Sequence, residues 1–357
     1  MRNKRFALKF VLITAVALAI LPFNWDRVEM ENRAFVIAMG IGTGNDEKAP
    51  FKVYLSVVDP PALEEGGEDA PKVLYEAQGA TLSSAMSHAS GEMSSIPYYG
   101  HTKTIIISEN ALMDAHKVLE IVSTLSDNQD INIKTIIMTT DKPLDKVLQA
   151  QPKSGNLLGI YLSNFYNNTH AHTPSTAIKT DLEGMVANLR HDGTAIIPKI
   201  TLVDYGDDTE IIISGVAALR DYARIMTITE DYLIGHLLLT QNASGMELVV
   251  DNQTLQISKS NPKLSFEYQN GELLCHAEIK IYGQLVGAAQ NHNIKSTFTE
   301  KIEQEINKTH HILQTLNIDP LQLSQILQKH HPHLPQKPLD QITLIPNITL
   351  EIKNPTL

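Results

Sequence analysis

The sequence predicts an α+β protein of several domains, with mixed β-sheets packed with α-helices, and three observations lead there. Its 357 residues exceed what one hydrophobic core usually organises. Short strand-like and helix-like pieces alternate without a repeating period, which excludes a solenoid or propeller. The composition, 43% hydrophobic and 19% charged, excludes wholesale disorder and a polytopic membrane protein. The expected division is a signal or membrane-anchor segment over 1–24 and an N-terminal α/β domain over 25–150. A bridging region with a second β-containing domain follows over 151–245, then a C-terminal α+β domain over 246–357.

The elements follow in order. Arg2, Lys4, Arg5 and Lys9 lead an apolar run that reaches Leu21-Pro22-Phe23, the pattern of an export signal. The charge-free stretch from Phe10 to Phe23 falls short of the roughly 20 residues of a spanning helix, which favours a signal over a transmembrane segment. Ala17-Leu18-Ala19 offers small residues to a peptidase, and an uncleaved anchor is the alternative. Phe51, Val53, Leu55 and Val57 alternate with polar neighbours as a half-buried strand. An acidic, Gly- and Pro-rich loop runs from Asp59 to Pro71. Thr81 should cap a helix, Lys103–Ser108 form a strand, Leu112–Leu125 a helix, Ile131–Met138 a strand and Leu144–Leu148 a short helix. From Gln151 to Lys199 periodicity is weak, and a bridging stretch is expected. Glu210–Leu219 reads as a strand too apolar to be exposed on both faces. Strands are expected over Lys263–Tyr268 and Leu273–Tyr282. A helix with Phe298, Ile302, Ile306 and Leu313 on one side follows, then a helix after Pro320 and a closing strand over Ile348–Ile352.

Charge and residue usage narrow the chemistry. A net charge of -11 with no stripe of Lys and Arg argues against nucleic acid as a partner. The single cysteine, Cys275, allows neither an intrachain disulfide nor a cysteine-based zinc site, and its period-two neighbours Ala277, Ile279 and Ile281 place it in a core. The 14 histidines include clusters at His170-Ala171-His172, His310-His311 and His330-His331-Pro332-His333, read as surface loops because a metal needs three or four convergent ligands. His101 beside Gly100 has no Ser or Cys in a nucleophile context to assist. A structural role is expected, with Gly100 supplying an unusual backbone angle. Gly40-Ile41-Gly42-Thr43-Gly44 matches neither G-x-G-x-x-G nor a P-loop and reads as a hairpin turn. Trp25, the only tryptophan, stands where the apolar segment meets the folded body. No catalytic, cofactor-binding or metal-binding residue is assigned, and no cofactor is expected.

The stretch from Trp25-Asp26-Arg27-Val28-Glu29 through Ala34-Phe35-Val36 to Gly40-Ile41-Gly42 resembles the start of the mature Ger(x)C family, the C subunits of GerA-type spore germinant receptors. Tyr98-Tyr99-Gly100-His101 is similar to that family's Tyr-Phe-Gly-His segment. Ser126-Asp127-Asn128-Gln129-Asp130-Ile131 occupies the place of its Arg-Asp-x-Glu-Ile-Arg, and Gly215-Val216-Ala217-Ala218-Leu219 that of its Gly-Ala-Ala-Val-Phe strand. On this resemblance Trp25, Asp26, Glu29, Gly100, His101 and Gly215 are family-motif positions with structural roles. The family lipobox ends in a lipidated Cys, where this chain has Asn24, and an amide cannot carry the thioether. Residues 10–23 are therefore expected to remain as the anchor, since an apolar segment holds a protein to a bilayer more firmly than one acyl chain.

The resemblance implies a non-enzymatic, membrane-associated subunit of a nutrient receptor on the extracytoplasmic face of the spore inner membrane. Its partners would be the membrane and the A- and B-type integral membrane subunits. The alternative is an exported small-ligand-binding protein or enzyme of unknown substrate, which would need a pocket with convergent polar groups.

Overall fold

A computed structural model describes residues 33–58, 72–152, 157–167, 178–205, 208–229, 232–240, 243–286 and 293–353. The stretch over 10–23 expected as a signal or anchor, the acidic stretch over 59–71 expected as a loop, and His170 and His172 lie outside them.

The first unit is built on a nine-stranded mixed sheet. Its strands are β1 (Arg33–Asp46), β2 (Ala49–Val58), β3 (Lys72–Gly79), β4 (Ile96–Tyr98), β5 (Thr104–Ser108), β6 (Ile136–Thr140), β7 (Ala195–Tyr205), β8 (Asp208–Arg220) and β9 (Ala223–Ile228). They lie in the order β3-β2-β1-β5-β6-β7-β8-β9, with β4 beside the start of β1. The strands β1, β5, β6 and β7 run parallel, while antiparallel hairpins extend both edges. In β5 the run Ile105-Ile106-Ile107 is apolar throughout because both faces are covered. Ile105 and Ile107 pack with α1 (Leu82–Gly91), α3 (Ala115–Asp127) and α6 (Leu182–Asp192). Ile106 faces the other way, toward α4 (Leu144–Gln149) and α5 (Leu158–Asn167).

Local chemistry sets the helix starts. Thr81 caps α1 in a capping box with Ser84, and the Asp114 carboxylate accepts from the His116 and Lys117 amides at the head of α3. That second cap divides the helix expected over Leu112–Leu125. The chain forms α2 (Glu109–Leu112), breaks, and restarts as α3. The strand expected from Ile131 begins only at Ile136, because the Asn128 and Asn132 side chains accept from the Asp130 and Lys134 amides and hold turns there. The stretch 151–199, expected as bridging chain, contains α5, α6 and the start of β7. Helix α6 is capped by Asp181, buries Leu182, Met185, Val186 and Leu189, and ends at Gly193 with φ +74°.

The second unit is a four-stranded sheet ordered β10 (Glu247–Val250), β11 (Gln253–Gln269), β12 (Glu272–Val286) and β13 (Ile342–Lys353). Helix α7 (Ile234–Leu239) and the long α8 (Ile294–Leu316) cover one face, with Phe298, Ile302, Ile306 and Leu313 in the core. Helix α9 (Leu323–His330) completes the crossover that lets β13 pair parallel to β12.

Strand β8 belongs to both units. Ala217 and Leu219 point into the core of the first sheet, and Val216 and Ala218 into the core of the second unit. The period-two alternation of one strand thus joins two cores.

Candidate functional sites

Gly100, His101 and Gly215 are the family-motif positions within the described residues. Trp25, Asp26, Glu29 and the preceding Asn24 lie outside those residues. At the beginning of β1, the His101 ring packs edge-on against Phe35 at 4.8 Å and Tyr98 at 5.5 Å, and the Arg33 guanidinium sits 4.8 Å from the centroid of Tyr98. His101 is exposed at this turn, with aromatic neighbours on one side. A Cβ at Gly100 would meet the Tyr98 hydroxyl at 2.5 Å, so the Tyr98 ring would have to turn aside for any larger residue. The unusual backbone angle expected at Gly100 does not take the form of a positive φ. Gly215 needs both freedoms: its φ is +104°, and a Cβ would meet the Ile228 carbonyl oxygen at 2.3 Å. The Gly40–Gly44 run, expected as a hairpin turn, lies inside β1. Gly40 lets Leu148 of α4 approach within 2.8 Å of a notional Cβ, and Gly44 lies in the irregular stretch of pairing between Thr43 and Asp46.

A crevice of about 320 Å³ opens at the carboxyl ends of β1, β5 and β6, lined by Thr43, Lys52, Tyr54, Asn110 and Lys142 among others. It forms because neighbouring strands exit to opposite faces. From β5 the chain enters α2, whose Ala111 and Leu112 join one core, and from β6 it enters α4, whose Leu144 and Leu148 join the other. Glu109 stands at its edge in a network of charges. Its carboxylate is 3.0 Å from Lys199 Nζ and 3.1 Å from Arg224 Nη2, and it accepts from the Thr227 hydroxyl at 3.3 Å. Lys199 also reaches Asp141 at 3.1 Å. The side chains of Glu109, Lys199 and Arg224 are 12%, 13% and 19% exposed, so these charges are held largely away from water. Sequence reasoning missed them. Glu109 directly follows a β-branched strand, but nothing local points to cations 90 and more residues away.

The second cleft, about 690 Å³, lies between the units and is lined by Asp192, Arg220, Asp221, Asp319, Ser324 and Lys337 among others. Arg220 donates to the Leu316 carbonyl at 3.0 Å and Gln322 to Asn188 Oδ1 at 2.6 Å, which ties the walls together. Asp319 accepts from the Leu323 amide and from the amide and hydroxyl of Ser324, a cap for α9. Burial pushes its carboxyl up, and those hydrogen bonds oppose the shift.

The histidine clusters divide by environment. His310, expected in a surface loop, is buried in α8, where burial lowers its pKa and its Nε2 is 3.0 Å from the Ile342 carbonyl oxygen. The helical period turns it inward while His311 stays outside. The His331 ring lies tilted against those of Phe266 and His333, with centroids 5.5 Å and 6.1 Å away. Among the described residues no three His, Cys, Asp or Glu side chains are placed to share a metal ion. Cys275 is fully buried, and burial with the nearby Asp319 charge pushes its thiol up to about 12, which leaves it unreactive while the chain is folded.

Comparison with known proteins adds to this geometry. The family profile described as "Spore germination protein N-terminal domain" matches residues 26–202, and that described as "Spore germination B3/ GerAC like, C-terminal" matches residues 214–353. The chain is 20% identical to "Spore germination protein KC" of Bacillus subtilis, covering 97% of this chain and 93% of that protein. It is 23% identical to "Putative spore germination protein YfkR" of the same organism, covering 89% and 86%. Its fold is similar to the crystal structure of the GerBC protein, with a TM-score of 0.55 at 14% identity, covering 89% of this chain and 98% of that one.

Proposed function

Because this chain belongs to the GerAC-like family of spore germination proteins, we propose that it is the C subunit of a germinant receptor, contributing to germination by assembling with integral membrane subunits. The observation that carries the reading is that both family domains are present in order and share one fold, fused through β8. In this reading its partners are the A- and B-type membrane subunits and the membrane. Its place is the extracytoplasmic face of the spore inner membrane, and its role is non-catalytic. The export pattern over the first residues supports that placement.

The division of labour follows from the packing. With β8 in two cores and the cleft walls bonded across the gap, the described body behaves as one unit that presents surfaces to its partners. Tagged chain purified from spore membranes should bring down polytopic companions in fixed ratio. Recovery without any such companion would remove the receptor assignment.

A further inference from the structure

On the reading above, which holds the chain at a membrane, we propose that the end of the first sheet where the described chain begins is the face that rests in the headgroup layer of an anionic bilayer. The patch comprises Ile96, Tyr98, Arg33, His101 and Lys103.

Reach decides which end is near the bilayer. Strand β1 has 14 residues, so its two ends are roughly 45 Å apart at about 3.3 Å per residue. The apolar run ends at Phe23, and the residues between it and Arg33 span at most about 35 Å even if fully extended. If that run lies in the membrane, the Arg33 end of β1 is within tether range, whereas the Asp46 end is out of reach whenever the sheet stands upright.

The surface at that end has interfacial chemistry. β4 pairs parallel to Arg33–Phe35 and brings Ile96, 59% exposed, to the rim beside Arg33. Behind it stands an aromatic cluster of Phe35, Tyr98 and His101, with Arg33 over the Tyr98 face. Tyrosine and arginine favour the boundary where a ring meets hydrocarbon and a polar group meets water. Lys103 follows the same turn and is exposed. Lys134, nearby, is neutralised by Asp181 and Glu183, and Glu92 lies just before the rim. Among the described residues no carboxylate pairs with Arg33 or Lys103. The chain carries a net charge of -11, so anionic lipid repels it as a whole, and Arg33 and Lys103, with no carboxylate partner among the described residues, give this rim beside the exposed Ile96 a local attraction for such lipid.

The test uses the full chain in vesicles of phosphatidylglycerol and phosphatidylcholine. A polarity-sensitive fluorophore is attached at Ile96→Cys or, as reference, at Val249→Cys, an exposed position in the second unit. The native thiol at Cys275 is buried and stays unlabelled. The probe at 96 should shift to the blue and be quenched several-fold more by spin-labelled lipid than the probe at 249, and Arg33→Glu with Lys103→Glu should weaken the shift. Equal quenching of both probes by aqueous iodide, in chain that floats with the vesicles, would overturn this orientation while leaving receptor membership intact. Chain that fails to float would overturn both the orientation and the tether on which it rests. An equal shift on phosphatidylcholine alone would overturn the choice of an anionic surface.

Discussion

Two glycines and a histidine show how much single residues hold. Gly215 combines a positive φ with a carbonyl where a methyl group would lie, so Gly215→Ala should destabilise the chain by about 1–3 kcal/mol or more. Urea unfolding would show it as a lowered midpoint at unchanged slope, and an unmoved midpoint would contradict the steric reading. At Gly100 the obstacle is the Tyr98 ring, a side chain that can turn, so the cost of alanine should be smaller. His236 is buried in α7, and burial lowers its pKa to about 4. In the unfolded chain it titrates near 6.5, so between these values the unfolded state binds more protons and stability falls as pH drops from about 6.5 toward 4. Asp319 acts in the opposite sense: its raised pKa gives stability that is lost as pH climbs from its ordinary 3.8 through the higher folded value. His236→Gln should therefore flatten the acid side of the stability profile measured between pH 4 and 7, and an unaltered slope would show that His236 is solvated.

At the scale of elements, Glu109 links three pieces of the first unit. It starts α2, and its partners lie on β7 and β9. Removing one member of a largely buried ion cluster leaves the others uncompensated, so Glu109→Ala should cost about 3 kcal/mol. Glu109→Ala combined with Lys199→Met should cost less than the sum of the two single changes, as read in a double-mutant cycle. Additivity would mean that the charges act independently. Elements were legible where period or cap was strong, as in α8 with its stripe of Phe298, Ile302 and Ile306 and in the alternation around Cys275. They were hidden where polar residues carry the structure. α6 is spelled in a polar, Gly-containing stretch and is recognisable mainly from its Asp181 cap and Gly193 stop.

The whole molecule depends on β8. With one face in each core, the two units should unfold together, so hydrogen exchange at Ile105–Ile107 and thiol exposure of Cys275 should report one midpoint in denaturant. Two separate midpoints would show that the shared strand does not couple the units. Leu219→Ala, at a fully buried site in the first core, should lower both reporters together by about 2–5 kcal/mol.

The amino-acid sequence alone established an α+β architecture through apolar periodicity and caps, and a resemblance to the germination family through short motifs, because such signals are local and survive without neighbours. The tertiary structure alone decided that Glu109 meets Lys199 and Arg224, that His310 turns inward, and that Gly100 makes room for a ring. Those outcomes depend on distances between residues far apart in the chain, which sheet order and helix packing set and no local pattern encodes.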